Sequence, residues 1–231
     1  MIFQAGVSGA GRDLGAKIAE GLFAGVETFE EAVEYYADLK ARAVAQGRDP
    51  DHISVLPGLF PIIAETDEEA LAEAQASGHE IDKSLVELGR AFNYHDFRKY
   101  PIDGPFPDVS NLSLNSYKGR AERIVRIAQE EKLTLRQTAE RFGRWRSDFV
   151  GSPQTIADQI EHWFVGRAVD GFILHVTGPR EFALFREKVV PLLQAKGLFR
   201  TEYEHDTLRG HLGLPVPEHR WVKGPDQIAA E

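Results

Sequence analysis

The residues best suited to chemistry stand at the very start: Gly6-Val7-Ser8-Gly9-Ala10-Gly11, between an apolar run and a helical pattern. Small residues let a backbone approach a ligand closely, and the first turn of a helix offers unpaired N–H groups at its positive end. Ser8 adds a hydroxyl. Together these groups suit a phosphate, such as flavin mononucleotide or a sugar phosphate carries. A second reading stands beside it, in which Ser8 simply caps the helix and the glycines make a tight turn. The run has neither the Lys-Ser/Thr of a Walker loop nor the spacing of a Rossmann fingerprint.

Other reactive side chains are scattered. Histidines occupy positions 52, 79, 95, 162, 175, 205, 211 and 219, and no pair has helical metal-ligand spacing with a carboxylate between. His175 lies in a strand-like run and could point into a site, or be a satisfied strand-end histidine. Asp170 precedes that run and belongs at its N-terminal end. Asp103 and Asp108 fall in a long irregular stretch, as bases or as solvated carboxylates. Trp145 with Arg144 and Arg146 could form an anion-binding or cation–π patch, or a structural one. No nucleophile, base and orienter come together as a hydrolytic triad, and no catalytic residue is assigned.

The whole chain bounds these options. With 36 acidic against 27 basic residues, the net charge of −9 argues against a nucleic-acid surface. The absence of cysteine excludes disulfides, thiolate metal sites and a thiol nucleophile. No apolar stretch reaches the ~18 residues of a membrane span. A cytoplasmic, membrane-free protein is expected.

The elements that must position Ser8 follow an alternating rhythm. Strands are expected near 2–5, 21–26, 53–64 and 171–176. Helices are expected at 10–20, after Thr28, after Thr66, at 119–131, at 135–142, after Ser152-Pro153 and at 181–194. Thr28-Phe29-Glu30-Glu31 and Thr66-Asp67-Glu68-Glu69 read as capping boxes, and Ser152-Pro153 as a cap followed by Pro at the first helical position. Ala32, Tyr35, Tyr36, Leu39 and Ala43 form one apolar stripe; Ile156, Ile160, Trp163 and Phe164 form another. Pro57 and Pro61 suit a strand end or bulge. Residues 78–118 break the rhythm, as a functional loop or inserted subdomain, and from Gly197 the chain reads as an extended polar tail. Four strand–helix units in series imply parallel pairing through right-handed crossovers. They supply half of an eight-stranded barrel, which takes ~250 residues, or else a small open α/β sheet.

Four stretches, in this order and spacing, carry a resemblance: FQAGVSGAGRDLGAKIAEGLF, SVLPGLFPIIAETDEEALAEA, DFVGSPQTIADQIEHWFVGRAVDGFILH and VVPLLQAKGLFRTEY. They resemble the C-terminal half of the nitrilotriacetate monooxygenase component A family, within the bacterial-luciferase-like flavin-dependent monooxygenases. The resemblance runs from residue 2 to about Leu214. It implies an α/β fold of TIM-barrel type, represented by its C-terminal half of about four βα units, in one domain over 1–214. An irregular insertion at about 78–118 and a polar tail at 215–231 complete the expected organisation.

The implied activity is that of an FMNH2-dependent monooxygenase oxygenating a small organic substrate with O2. Reduced FMN would come from a separate NAD(P)H:flavin reductase. In the family the Gln-Ala-Gly-X-Ser turn helps hold the FMN phosphate. Here it is Gln4-Ala5-Gly6-Val7-Ser8, which makes Ser8 the carried-over cofactor ligand, with Gly6 and Gly9 as backbone neighbours. The chain departs from the family pattern at Arg146-Ser147-Asp148 and at His175. Met1 falls inside what the resemblance makes the fifth strand, so activity would need a complementing N-terminal half or self-association. The alternative is an inactive remnant that binds flavin or phosphate, or assembles with a full-length relative. The 78–118 segment is the expected lid.

Overall fold

The computed structural model describes residues 1–26, 28–76, 81–113, 118–143, 148–176 and 178–217. Strand β1 (Phe3–Ala5) leads into helix α1 (Gly9–Ile18), β2 (Gly21–Ala24) into α2 (Phe29–Ala45), and β3 (Ser54–Leu59) into a second short strand, β4 (Ile62–Ile63). Helices α3 (Asp67–Ala76), α4 (Ile81–Ala91), α5 (Lys118–Glu130) and α6 (Leu135–Phe142) follow. Then come β5 (Val150–Gly151), α7 (Pro153–Val165), β6 (Ile173–Leu174), α8 (Pro179–Leu184), α9 (Val190–Ala195) and the short α10 (Leu208–His211).

The sheet order is β1-β2-β3-β6, all parallel, so successive βα units lie side by side as crossover connections require. The expected α/β architecture of about four units is present. Register fixes which residues share a face. Phe3 pairs with Gly21, Phe23 with Leu56 and Gly58 with Ile173. Leu22, Ala24 and Val55 bury against Tyr35, Leu39 and Ala43 of α2, so the alternate residues Phe23, Leu56 and Gly58 face the other way. That concave side is open: Phe3 is about half exposed. Among the described residues β1 pairs only with β2, and β6 only with β3.

The caps explain where the helices begin. Thr28 accepts from the Glu31 N–H, Thr66 from that of Glu69 and Ser152 from that of Thr155. Thr134 and Gln137 form a reciprocal capping box that sequence reading had not marked. The α2 stripe is buried along its whole length. On α7, Ile156, Ala157, Ile160 and Trp163 are buried, while Phe164 is 42% exposed and belongs to the outer face. Pro57 occupies the last rung between β2 and β3, and Pro61 separates β3 from β4. Strand β4 pairs with β5, a two-residue strand too short to show a period in sequence.

Three expectations are corrected. First, the 78–118 stretch contains a full helix, α4, and two 3-10 turns, Phe97–Lys99 and Ser110–Ser113. Leu85, Leu88, Phe92, Phe97, Ile124, Leu135 and Phe142 form a separate core shared by α4, α5 and α6. The stretch joins a helical subdomain because Leu85, Leu88 and Phe92 supply an apolar face at helical spacing. Second, the helix expected at 181–194 is interrupted by a π turn, Phe185–Val189. Pro191, at the second position of α9, has no N–H to continue the α ladder, and the wider turn adjoins it. Third, the chain after Gly197 is not wholly extended. Residues 208–211 form α10, Leu214 is buried, and Arg209 pairs with Glu20 at 2.6 Å. Residues 218–231 of the expected tail lie outside the described residues.

Candidate phosphate site at the end of the first strand

Three described strands of the sheet, β1, β2 and β6, end on the same rim and hand over to helices there, which is where parallel α/β folds place their ligands. At the end of β1 the chain turns through Gly6-Val7-Ser8 into α1. Ser8 is exposed, with extended backbone (φ −68°, ψ 158°), and its Oγ accepts the Gly11 N–H at 3.2 Å. The capping reading is therefore correct. It does not compete with ligand binding, because the hydroxyl keeps its own proton to donate.

Gly6 has φ +155°, a conformation that side chains disfavour, and a Cβ there would lie 3.2 Å from Gln4 Nε2. A Cβ at Gly9 would meet nothing within 4 Å, so the space before the first helical turn is open. Among the described residues, no hydrogen bond occupies the backbone N–H of Ser8, Gly9 or Ala10. The first turn of α1 carries no acidic residue. A hydroxyl donor, free amides, a helix dipole and open space form a donor set that fits a phosphate.

The turn is held from behind by two side chains that sequence reading did not single out. Tyr35 of α2, 1% exposed, donates its hydroxyl to the Gly6 carbonyl at 2.9 Å. Arg12 of α1 donates Nε–H to the Val7 carbonyl at 2.9 Å and Nη1–H to Asp38 at 2.8 Å, with its guanidinium 4.8 Å from the Tyr35 ring centre. Burial pushes the Tyr35 hydroxyl up to about 12, so it remains a donor at every ordinary pH. Asp38 also accepts from Arg42 at 3.0 Å; partial burial acts to raise its carboxyl, but the bonds from Arg12 and Arg42 together outweigh it and leave it below the ordinary value. Val7 itself faces the helical subdomain: a Cβ on Gly119, at the start of α5, would lie 3.5 Å from Val7 Cγ2. Arg123 of α5 pairs with Glu31 of α2 at 2.5 Å, fastening the subdomain near that rim. The signal for Tyr35 was present only as one member of an apolar stripe; its hydroxyl contact spans 29 residues and leaves no local trace.

The other candidates are dispersed. Asp170 accepts from Tyr36 Oη at 3.0 Å and the Val55 N–H at 2.8 Å, and pairs with Lys40 at 2.9 Å. It ties β6 to β3 and α2 at the N-terminal end, as expected. His175 is exposed just beyond β6, its N–H bonded to the Leu59 carbonyl at 2.8 Å and its ring stacked on Phe60 at 4.4 Å. Asp103 pairs with Arg136 at 2.7 Å, and Asp108 is not free either. His95 meets Tyr100 Oη at 3.0 Å, and burial, aided by Lys99, lowers its pKa. His162 stacks on Phe29, His52 approaches Asp49, and His205 and His211 adjoin each other in the C-terminal segment. Among the described residues, no three metal-ligating side chains cluster. Arg144, Trp145, Arg146, Ser147, His79 and His219 lie outside the described residues. Among the described residues no helix is long and apolar enough to cross a membrane.

Comparison with known proteins decides the family. The model of the luciferase-like monooxygenase family matches residues 2–171. The chain belongs to that family. It is 39% identical to the N-acetyl-S-(2-succino)cysteine monooxygenase of Bacillus subtilis (strain 168), over 96% of this chain and 52% of that protein. It is 38% identical to nitrilotriacetate monooxygenase component A of Aminobacter aminovorans, over 96% of this chain and 50% of that protein. Among solved structures, a riboflavin lyase crystallised with modified FMN and riboflavin superposes with a TM-score of 0.73 at 27% identity. That match covers 91% of this chain and 46% of the other. The chain spans about half the length of the curated relatives it matches. The luciferase-like relatives make the four-stranded sheet part of a TIM-type barrel, as the resemblance implied.

Proposed function

We propose that this chain supplies the phosphate-holding half of a two-component, flavin-dependent monooxygenase that takes FMN in its reduced form. The observation that carries this reading is the rim turn after β1, with a free hydroxyl proton, open amides and no carboxylate in the first helical turn. Support for flavin comes from family membership and from the likeness to a structure solved with modified FMN. In this reading Ser8 Oγ–H and the N–H groups of Ser8, Gly9 and Ala10 hold the phosphate, and Gly6 and Gly9 allow the close approach. When bound, reduced flavin would supply the two electrons with which O2 is split, one oxygen atom going to a small organic substrate and the other to water. The protein's part is to fix the cofactor by its phosphate, present the open concave face to the ring and exclude water. The helical subdomain, which reaches the rim at Gly119 and Val7, is the natural lid.

A separate NAD(P)H:flavin reductase would supply the reduced cofactor, consistent with a relative named as component A. Among the described residues the edges of β1 and β6 are open, and with the half-exposed Phe3 they favour a complementing half-barrel, or a second copy in its place. The same features favour a second reading for the chain by itself, a flavin-binding module without turnover. The test is anaerobic calorimetric titration with reduced FMN, followed by O2-dependent product formation with a reductase and the N-terminal half of a relative. Binding plus turnover supports the enzyme, and binding without turnover in any combination supports the module. No FMN binding by the folded chain overturns both.

A further inference from the structure

We propose that Tyr35 and Arg12 are positioning residues that aim the amides of the Gly6-Val7-Ser8 turn at a phosphate. The inference rests on the flavin reading above, and goes beyond it by assigning how the turn is prepared. The carbonyls of Gly6 and Val7 would repel an anion if they faced it. Each is instead engaged on the α2 side, Gly6 O by Tyr35 Oη and Val7 O by Arg12 Nε, both at 2.9 Å. In a trans peptide the C=O and the following N–H point in opposite directions, and no peptide in the described chain is cis. Drawing the two carbonyls toward Tyr35 and Arg12 therefore turns the N–H groups of Val7 and Ser8 away from them, to the side where Gly9 leaves open space.

The clamp is itself rigid. Tyr35 is fully buried in the core of α2 and the sheet, and Arg12 is fixed by Asp38, which Arg42 holds in turn. Arg12 further lies against the Tyr35 ring, so the two donors support each other. Neither side chain needs to touch the ligand. Their effect is to prepay the ordering of an otherwise adaptable glycine turn.

The test uses the full chain, titrated with FMN, and then with inorganic phosphate as competitor against FMN. Tyr35→Phe removes one oxygen and keeps the ring; Arg12→Lys keeps the charge and loses the Nε donor. Each variant is expected to raise the FMN Kd about fivefold, the worth of one hydrogen bond, and to raise the phosphate inhibition constant by the same factor. General loosening would also lower the unfolding temperature, which is recorded for each variant beside its affinity. If wild type binds FMN and either folded variant leaves its Kd unchanged, or phosphate competition does not follow, the inference is wrong. If one variant fails to fold, the other decides. A wild-type chain that binds neither ligand overturns the flavin reading first, a separate outcome.

Discussion

Replacing Ser8 by aspartate separates its two roles, because aspartate is as good a helix cap as serine but a poor neighbour for a phosphate. Asp accepts amide hydrogen bonds at the N-cap with similar strength, and its charge favours the helix N-terminus by about 0.3–1 kcal/mol. Ser8→Asp is therefore expected to unfold at the wild-type temperature or slightly above it. Ser8→Ala loses the bond to Gly11 N–H at 3.2 Å, at a cost of about 1 kcal/mol, or roughly 2–4 °C in a chain of this size. Binding should rank them in the reverse order. A carboxylate roughly 4 Å from a phosphate dianion is repelled by about 2 kcal/mol even at the dielectric of water, which suits an exposed residue such as Ser8. That is about a thirtyfold rise in FMN Kd. Losing one donor in Ser8→Ala should cost less, about fivefold. The assay pairs calorimetric FMN titration with thermal unfolding on the same three proteins. A Ser8→Asp chain that binds FMN like wild type would refute the phosphate assignment and leave Ser8 only a cap.

Three further outcomes follow from the same contacts. Asp170→Ala removes the acceptor of Tyr36 Oη and the Val55 N–H, while Lys40 keeps the Pro50 and Ile53 carbonyls, which predicts a loss of about 1–3 kcal/mol in urea unfolding, whereas Asp103→Ala, an exposed pair, should cost under about 1 kcal/mol. Gly6→Ala places a side chain at φ +155° against Gln4; unfolding should show a loss of about 1–3 kcal/mol, with FMN binding weakened as well. The hydrogen bond from Arg209 depresses the Glu20 carboxyl below its ordinary 4.5, aided by the Ile2 amide and partly opposed by burial. The resulting stability is present above 4.5 and is lost as pH falls through the depressed value. Arg209→Ala should thus be less stable than wild type near neutrality, with the gap closing in acid; a gap independent of pH would contradict the assignment.

Local signals carried well and distant ones did not. Ser8, Thr28, Thr66 and Ser152 cap helices through bonds to residues three positions on, so both partners sit in one short window of sequence. Pro61 separates β3 from β4 for an equally local reason, the missing N–H, whereas Pro57 lies within β3, at the rung where pairing passes from β2 to β6. Helix α4 was harder to see, because Ser84 and Gly89 interrupt its apolar face. The structure shows why Gly89 is there: a Cβ would stand 2.4 Å from the His95 carbonyl oxygen. Strand β5, at two residues, has no period at all. At the candidate site, Gly6-Val7-Ser8 is a turn with open space before the first turn of α1. What orders that turn comes from Arg12 of α1 and Tyr35 of α2, and Tyr35 in sequence is indistinguishable from the ordinary buried residues beside it.

The two faces of the sheet differ in what they offer the proposed phosphate turn. On the helix side, Leu22 and Val55 pack with Ala16, Tyr35, Leu39 and Ala43 into a sealed core. The Gly6 and Val7 carbonyls are anchored to that same side. The phosphate turn therefore draws its order from contacts this chain makes with itself. The concave side has the opposite character. Phe3 is 53% exposed, and β1 and β6 are open edges among the described residues. Packing there requires strands from elsewhere, and a flavin ring or substrate on that side would be held only once they are supplied. Under the proposed function, affinity for the phosphate end and competence for oxygenation are therefore separable, with the former belonging to this chain and the latter to the closed barrel.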